Sequence, residues 1–240
     1  MKLIRVLLFV LSFSISNLPQ VYTEKDVEIC NSKFELAVSK NLSDKPINEI
    51  ISEIGRSFLN TEYEAYTLEQ EGKEQLVIHL TGLDCTTFIE NTLALSRCIK
   101  KQKISFEDYK NELTFIRYRD GKIDGYPSRL HYFSDWIFNN SQKGILKDVT
   151  KEIGGQSIKF NVYFMSKNPD KYKKLTESPE FIPLIVKQEE AINKREYYYI
   201  PKEKVGKLEN KIHDGDLIAI TTNLKGLDTV SYTHLTLPTN

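Results

Sequence analysis

The segment 82–91, GLDCTTFIEN, constrains the fold more than any other part of the chain. Phe88, Ile89, Leu93, Leu95 and Ile99 supply the apolar stripe of a helix over 84–100, and Asp84 is placed to cap its start. Cys85 then falls in the first turn. There, unpaired backbone N–H groups and the positive end of the helix dipole lower a thiol pKa and favour the reactive thiolate. The same N–H groups can bind the oxyanion of a tetrahedral intermediate. A lone Cys on a helix is more often a core residue. The place of Cys85 at the helix start, beside the polar Asp84, Thr86 and Thr87, favours a nucleophile instead. Cys98, deeper in the same helix, reads as core, and Cys30 as a free or buried thiol near the mature N-terminus.

Other elements follow from periodicity. Residues 48–59 form an amphipathic helix pattern, with Ile50, Ile51, Ile54, Phe58 and Leu59 on one face. Residues 105–118 form another, capped by Ser105, and 130–140 is an aromatic-rich helix. The polar, Lys-rich stretch 168–179 reads as a surface helix, and 121–129 as a loop. Strands are expected at 76–80, 158–164, 197–200 and 217–222. Helices come first and strands later, without βαβ alternation, which argues for an α+β fold.

A thiolate nucleophile needs a base, usually a His oriented by a third group. His79 lies in the expected 76–80 strand and reads as structural, and His213 lies in a polar loop. His131 sits among hydrogen-bonding and aromatic side chains that could form a cleft wall or a packed core. The His and Cys residues show no metal-ligand spacing, and no cofactor is expected.

The chain start reads as an address. Lys2 and Arg5 precede an apolar run over 6–15 and then polar and small residues, the pattern of a signal peptide over about 1–22. The run is short for a membrane span, so no stable membrane anchor is expected after cleavage. Export would place the protein in the periplasm or beyond. Three cysteines in such a compartment leave at least one thiol unpaired, so a disulfide framework does not hold the fold. Lys plus Arg total 33 against 33 acidic residues, and this balance gives no support to a nucleic-acid partner.

Four blocks carry a resemblance: GRSFLNTEYEAYTLE (55–69), LTGLDCTTFIENTLAL (80–95), YPSRLHYFSDWI (126–137) and DGDLIAITTNLKGLD (214–228). Together they resemble the N-acetylmuramoyl-L-alanine amidase-like family, whose fold is similar to that of NlpC-type cell-wall hydrolases. The resemblance implies a papain-like α+β core, with the nucleophile helix packed on an antiparallel sheet that carries the base His. It assigns the nucleophile to Cys85 and a cleft-shaping role to Tyr63, with Asp84 and Thr86 beside the nucleophile as substrate contacts. It marks Ser128, Arg129, His131 and Tyr132 as a substrate-facing or structural cluster. Gly215, Asp216 and Leu217 match the family's GDL strand.

One departure stands out. After GLD the family pattern continues into a Ser-His-Val-Gly-type strand that holds the base, whereas this chain reads VSYTHLTLPT over 230–239. That stretch can be written in codons that spell the transposase-end adapter of shotgun sequencing libraries. The expected organisation is therefore a signal peptide, an incomplete amidase domain over 23–229 lacking its last strands, and a non-native tail over 230–240. The base His would be missing after Asp228, with His131 as the fallback.

The function implied is an exported cysteine amidase or peptidase acting on an amide bond of the peptidoglycan stem peptide, with peptidoglycan or its muropeptides as partner. An NlpC-like acyltransferase or deamidase, and a non-catalytic wall-binding protein, are the alternatives. Genomic sequencing across codons 225–240 is expected to show the frame running on from Asp228 into a Ser-His-Val-Gly-type strand. A genome that encodes VSYTHLTLPTN and a stop would return the base to His131 or His234.

Overall fold

The computed structural model describes residues 21–220 and Gly226. Residues 1–20 of the signal peptide expected over about 1–22, and the expected tail over 230–240, lie outside the described residues. Val21 and Tyr22 are built into the fold: Val21 O accepts from Ile78 N at 3.0 Å, and the Tyr22 ring meets Phe106 edge-on at 5.0 Å.

The element order is α1 (Glu24–Ser39), α2 (Ile47–Arg56), β1 (Glu62–Tyr63), β2 (Gly82–Leu83), α3 (Cys85–Lys100), α4 (Phe106–Arg117) and α5 (Phe133–Gln142). Then come β3 (Gln156–Ile158), α6 (Phe164–Lys167), α7 (Lys173–Glu177), α8 (Ile182–Lys194), β4 (Tyr197–Tyr199) and α9 (Lys202–Val205). Helix-rich α+β architecture is what this order describes. Strands β1 and β2 pair in parallel, with Tyr63 opposite Leu83, and β3 and β4 pair antiparallel.

Local chemistry explains the helix starts. Asp84 caps α3 and Ser105 caps α4, each accepting from the backbone N–H three residues on. Helix α1 has a reciprocal capping box between Thr23 and Asp26. Its buried face, Cys30, Phe34 and Ala37, repeats at helical spacing. This T-x-x-D signal is visible in the sequence at the edge of the assigned signal segment.

The main core gathers α1 to α5 and the extended stretch 76–80. Helix α3 lies at its centre, packed against α1, α2 and α4. A central helix carries its polar residues inward too, and these need partners. Glu90 of α3 pairs with Arg117 of α4 at 2.6 Å, and both side chains are 2% exposed. Trp136 Nε1 of α5 donates to the other Glu90 oxygen at 3.1 Å, and Tyr109 hydroxyl donates to Asn91 at 2.5 Å. A second, smaller core lies under α6 to α8, around Tyr126, Tyr132, Val162, Met165, Leu175, Ile185 and Ile192.

Several expected strands are not strands. Residues 76–80 are extended and mostly buried, but other groups take their backbone hydrogen bonds. Arg117 Nη1 donates to Val77 O at 2.5 Å, and Leu80 N donates to Asp26 Oδ1 at 2.6 Å. Beside them, Tyr118 hydroxyl donates to Gln75 O at 2.9 Å. The expected strand at 158–164 ends at Ile158, because Asn193 takes both backbone groups of Val162, at 2.7 and 2.9 Å. Tyr197–Tyr199 does form a strand, whereas 217–220 has no ladder and 221–222 lie outside the described residues. The stretch 168–179 is broken by Pro169 and Pro179 into turns around the short α7, whose Lys174 is buried against Glu74 at 3.2 Å. Among the described residues, α3 rests on helices rather than on an antiparallel sheet.

Breaking a buried pair leaves an uncompensated charge and costs about 3–5 kcal/mol. Glu90→Gln is expected to lose about that much in urea unfolding. A loss below about 1 kcal/mol would show that the substituted amide oxygen or water takes up the Arg117 donors.

Candidate active site

The strongest chemical position in the fold is the start of α3. The chain runs through β2 into Asp84, whose extended backbone ends the strand, and Cys85 is the first helical residue. Asp84 Oδ1 accepts from Thr87 N at 2.7 Å and from the Thr87 hydroxyl at 2.8 Å, while Asp84 N donates to Thr87 Oγ1 at 2.9 Å. The Asp84 carboxylate thus holds the helix start. Its capping work fixes the direction in which the first-turn amides point. Helix geometry leaves those amides, including that of Thr86, without a carbonyl one turn back.

The three cysteines are thiols in different surroundings. Cys30 and Cys98 are buried in the main core. Burial, with the charge of Cys98 behind it, pushes the Cys30 thiol far up. Burial, reinforced by Glu112, pushes Cys98 up to about 12. Both are inert near neutral pH. Cys85 alone is partly exposed.

Strand β1 flanks the Cys85 loop. Glu64 N donates to Leu83 O at 3.2 Å, continuing the β1–β2 pairing, and Tyr63 is exposed beside the segment that leads into Cys85. The Glu64 side chain folds back over Gly82 and accepts from His79 Nε2 at 2.8 Å. Since a carboxylate only accepts, the Nε2 that faces it carries a proton. Thr81 hydroxyl lies 3.3 Å from the same Nε2. The sequence reads His79 as structural from its place in an apolar stretch, and its partner Glu64, 15 residues away, leaves no periodic signal.

The cluster over 128–132 is spent inside the protein. Ser128 Oγ donates to Gly125 O at 2.7 Å and accepts from Asp124 N at 2.9 Å, closing a turn. The buried Arg129 donates to Leu68 O at 2.9 Å and to Glu69 at 2.5 Å, and lies 3.5 Å from Glu74. Burial opposes its charge, but Glu74 and Glu69 outweigh that and hold the guanidinium firmly ionised. Tyr132 hydroxyl donates to Glu189 at 2.7 Å and accepts from Met165 N at 3.0 Å, and burial pushes its pKa well up. These contacts make Ser128, Arg129 and Tyr132 structural rather than substrate-facing.

His131 Nε2 donates to Tyr126 O at 2.9 Å, with the two rings 4.3 Å apart. Burial, then the Arg129 charge, lowers its pKa to about 3, only partly opposed by the bond to Tyr126. A general base must hold the proton it takes, and this imidazole is a poor place for one. The fallback role of His131 gains no support from these surroundings. Other expected features, including any base after Asp228, lie outside the described residues.

Comparison with known proteins follows the same lines. Residues 53–239 match the N-acetylmuramoyl-L-alanine amidase-like family. The chain belongs to this family. A crystal structure of an N-acetylmuramoyl-L-alanine amidase from Bacteroides uniformis is 41% identical over 77% of each chain, with a TM-score of 0.70. A Bacteroides fragilis structure that carries the name of a xylanase is 43% identical over 74% of this chain and 78% of its own, with a TM-score of 0.68. A Legionella pneumophila protein, 20% identical, covers 86% of this chain and 79% of its own with a TM-score of 0.57, and shows the fold alone. No curated protein matches. The matched range takes in β1, β2, α3 and the 126–137 block.

A Cβ at Gly82 would sit 2.4 Å from Glu64 Oε2 and 2.8 Å from Glu64 Cβ. Gly82→Ala is therefore expected to destabilise the protein by about 1–3 kcal/mol and to part Glu64 from His79. Thermal unfolding and the His79 ring ¹⁵N resonances check this; unchanged values in both would show that Glu64 swings aside freely.

Proposed function

We propose that this chain is an exported cysteine amidase that cleaves an amide bond of the peptidoglycan stem peptide, either the muramoyl–L-alanine link or a bond within the peptide. Family membership and the amidase neighbours support peptidoglycan amide hydrolysis in broad terms. The observation that carries the finer reading is Cys85, the partly exposed thiol at the first position of a capped helix.

The chemistry follows from that position. The thiol proton passes to a base and the Cys85 thiolate attacks the amide carbonyl, forming a C–S bond. The carbonyl electrons move to oxygen, and the first-turn N–H groups of α3 hold the oxyanion. Collapse breaks the C–N bond, and the leaving amine takes the proton from the base. Water then attacks the thioester, releases a carboxylic acid and restores the thiol. In this reading the base is the histidine expected after Asp228, on a papain-like core completed by the C-terminal strands. Tyr63 would line the cleft from β1, and Thr86 would contribute from the first turn of α3.

Cys85→Ala in the natural gene product is expected to reduce peptide release from purified sacculi by about a thousandfold or more. Retained release would remove Cys85 from the mechanism. Alkylation near neutral pH gives an independent measure: Cys85 is expected to react while Cys30 and Cys98 do not.

A further inference from the structure

A cleft of about 470 Å³ opens away from Cys85, between α8 and the 119–128 segment. Its size falls within the range of small-ligand sites. Gln188 Nε2 of α8 donates to Pro127 O at 2.8 Å and ties the two walls together. Two guanidinium groups form its charged floor. Arg119 and Arg195 reach the same buried carboxylate, Asp135, at 2.5 and 2.6 Å. Asp135 also accepts from Asn139 at 3.0 Å, so its oxygens are well occupied.

One carboxylate cannot neutralise two guanidinium groups. Arg195 is further fixed by stacking over Phe138 at 3.7 Å, and Arg119 Nε has no hydrogen-bond partner among the described residues. Each guanidinium carries five donors in a rigid fork. Held by the shared aspartate, both side chains stay partly exposed among the lining residues, 26% for Arg119 and 19% for Arg195. Lys122 and Lys187 stand exposed among the lining residues, and neither is in an ion pair among the described residues. Asp120 and Asp124, also exposed, are the acidic lining residues. Four cations thus face three carboxylates when Asp135 is included.

A simple polyanion would be repelled by the rim aspartates. A ligand that carries both carboxylates and an amine satisfies both sets. We propose that this cleft is a second binding site, distinct from the Cys85 site, for an amine-bearing acidic peptide. The proposal rests on the reading of the substrate as a peptidoglycan stem peptide, whose carboxylates and free amine have this chemistry. The site would hold a stem peptide away from the scissile bond and raise its local concentration at the enzyme.

The test uses the synthetic tripeptide L-alanyl-γ-D-glutamyl-meso-diaminopimelate, titrated calorimetrically into the full-length Cys85→Ala protein so that nothing is turned over. Adding Lys122→Glu and Lys187→Glu is expected to weaken binding tenfold or more with no change in melting temperature. Acetylating the peptide amines is expected to weaken it severalfold, an effect that Asp124→Asn should reduce. Unchanged affinity in the double charge reversal overturns the site, as does inorganic phosphate binding as tightly as the tripeptide. The hydrolytic reading is judged separately, by peptide release from sacculi with the natural gene product. Release without tripeptide binding sinks only the second site, and binding without release sinks only the Cys85 mechanism.

Discussion

The ion pair between Glu90 and Arg117 is the point on which the rest of the fold depends. Two charges taken out of water are tolerated only when every donor and acceptor around them is used. Here Glu90 receives Arg117 and Trp136, while Arg117 spends a second donor on the carbonyl of Val77. A single carboxylate on α3 thereby locks α4, α5 and the extended 76–80 stretch to the central helix. Burial alone would weaken the Arg117 charge, but Glu90 more than offsets it and keeps the guanidinium ionised. Non-directional packing could not fix the angle at which α3 lies. This pair does, and so it fixes where the start of α3 points.

That start is where the surroundings of three chemically identical side chains part. Cys98 lies on the same helix as Cys85, thirteen positions on, yet burial makes it inert. Cys85 differs in standing at the helix end, where amides lack partners and a strand turns into a helix across one capped residue. The capping box occupies Asp84 and Thr87, so the polar residues nearest the thiol do structural work that keeps its surroundings rigid. Opposite them, Glu64, His79 and Gly82 hold β1 close, and with it the exposed Tyr63.

The block over 126–132 shows how far a motif can be read without its surroundings. Its residues look like site residues because they are polar, aromatic and basic together. In the fold they tie the 66–76 loop and α8 to the second core. Arg129 reaches Glu69 from 60 residues away, and Tyr132 reaches Glu189 from 57. The motif is intact, but its polar atoms face inward. The segment expected to be a strand at 76–80 failed for a related reason. Its β-branched, apolar character correctly announces burial, but side chains from α1 and α4 reach its backbone before another strand does.

Sequence alone determined what depends on neighbours within a turn or two. The caps at Asp84 and Ser105, the limits of α3 and α4, the Ile50, Ile51 and Ile54 face of α2 and the place of Cys85 at a helix start all rest on interactions three or four residues apart, whereas Leu59, expected on the α2 face, lies beyond the helix and is exposed. Family membership was legible too, because its four blocks are local strings. Only the tertiary structure decided which polar groups are free to meet a substrate. Whether a carboxylate caps, pairs or faces a cleft depends on what arrives from 15 to 60 residues away. Arg129, Arg119 and Arg195 carry no mark in the sequence that tells those fates apart. Charge and hydrogen-bonding capacity belong to the residue, but their satisfaction belongs to the packing around it.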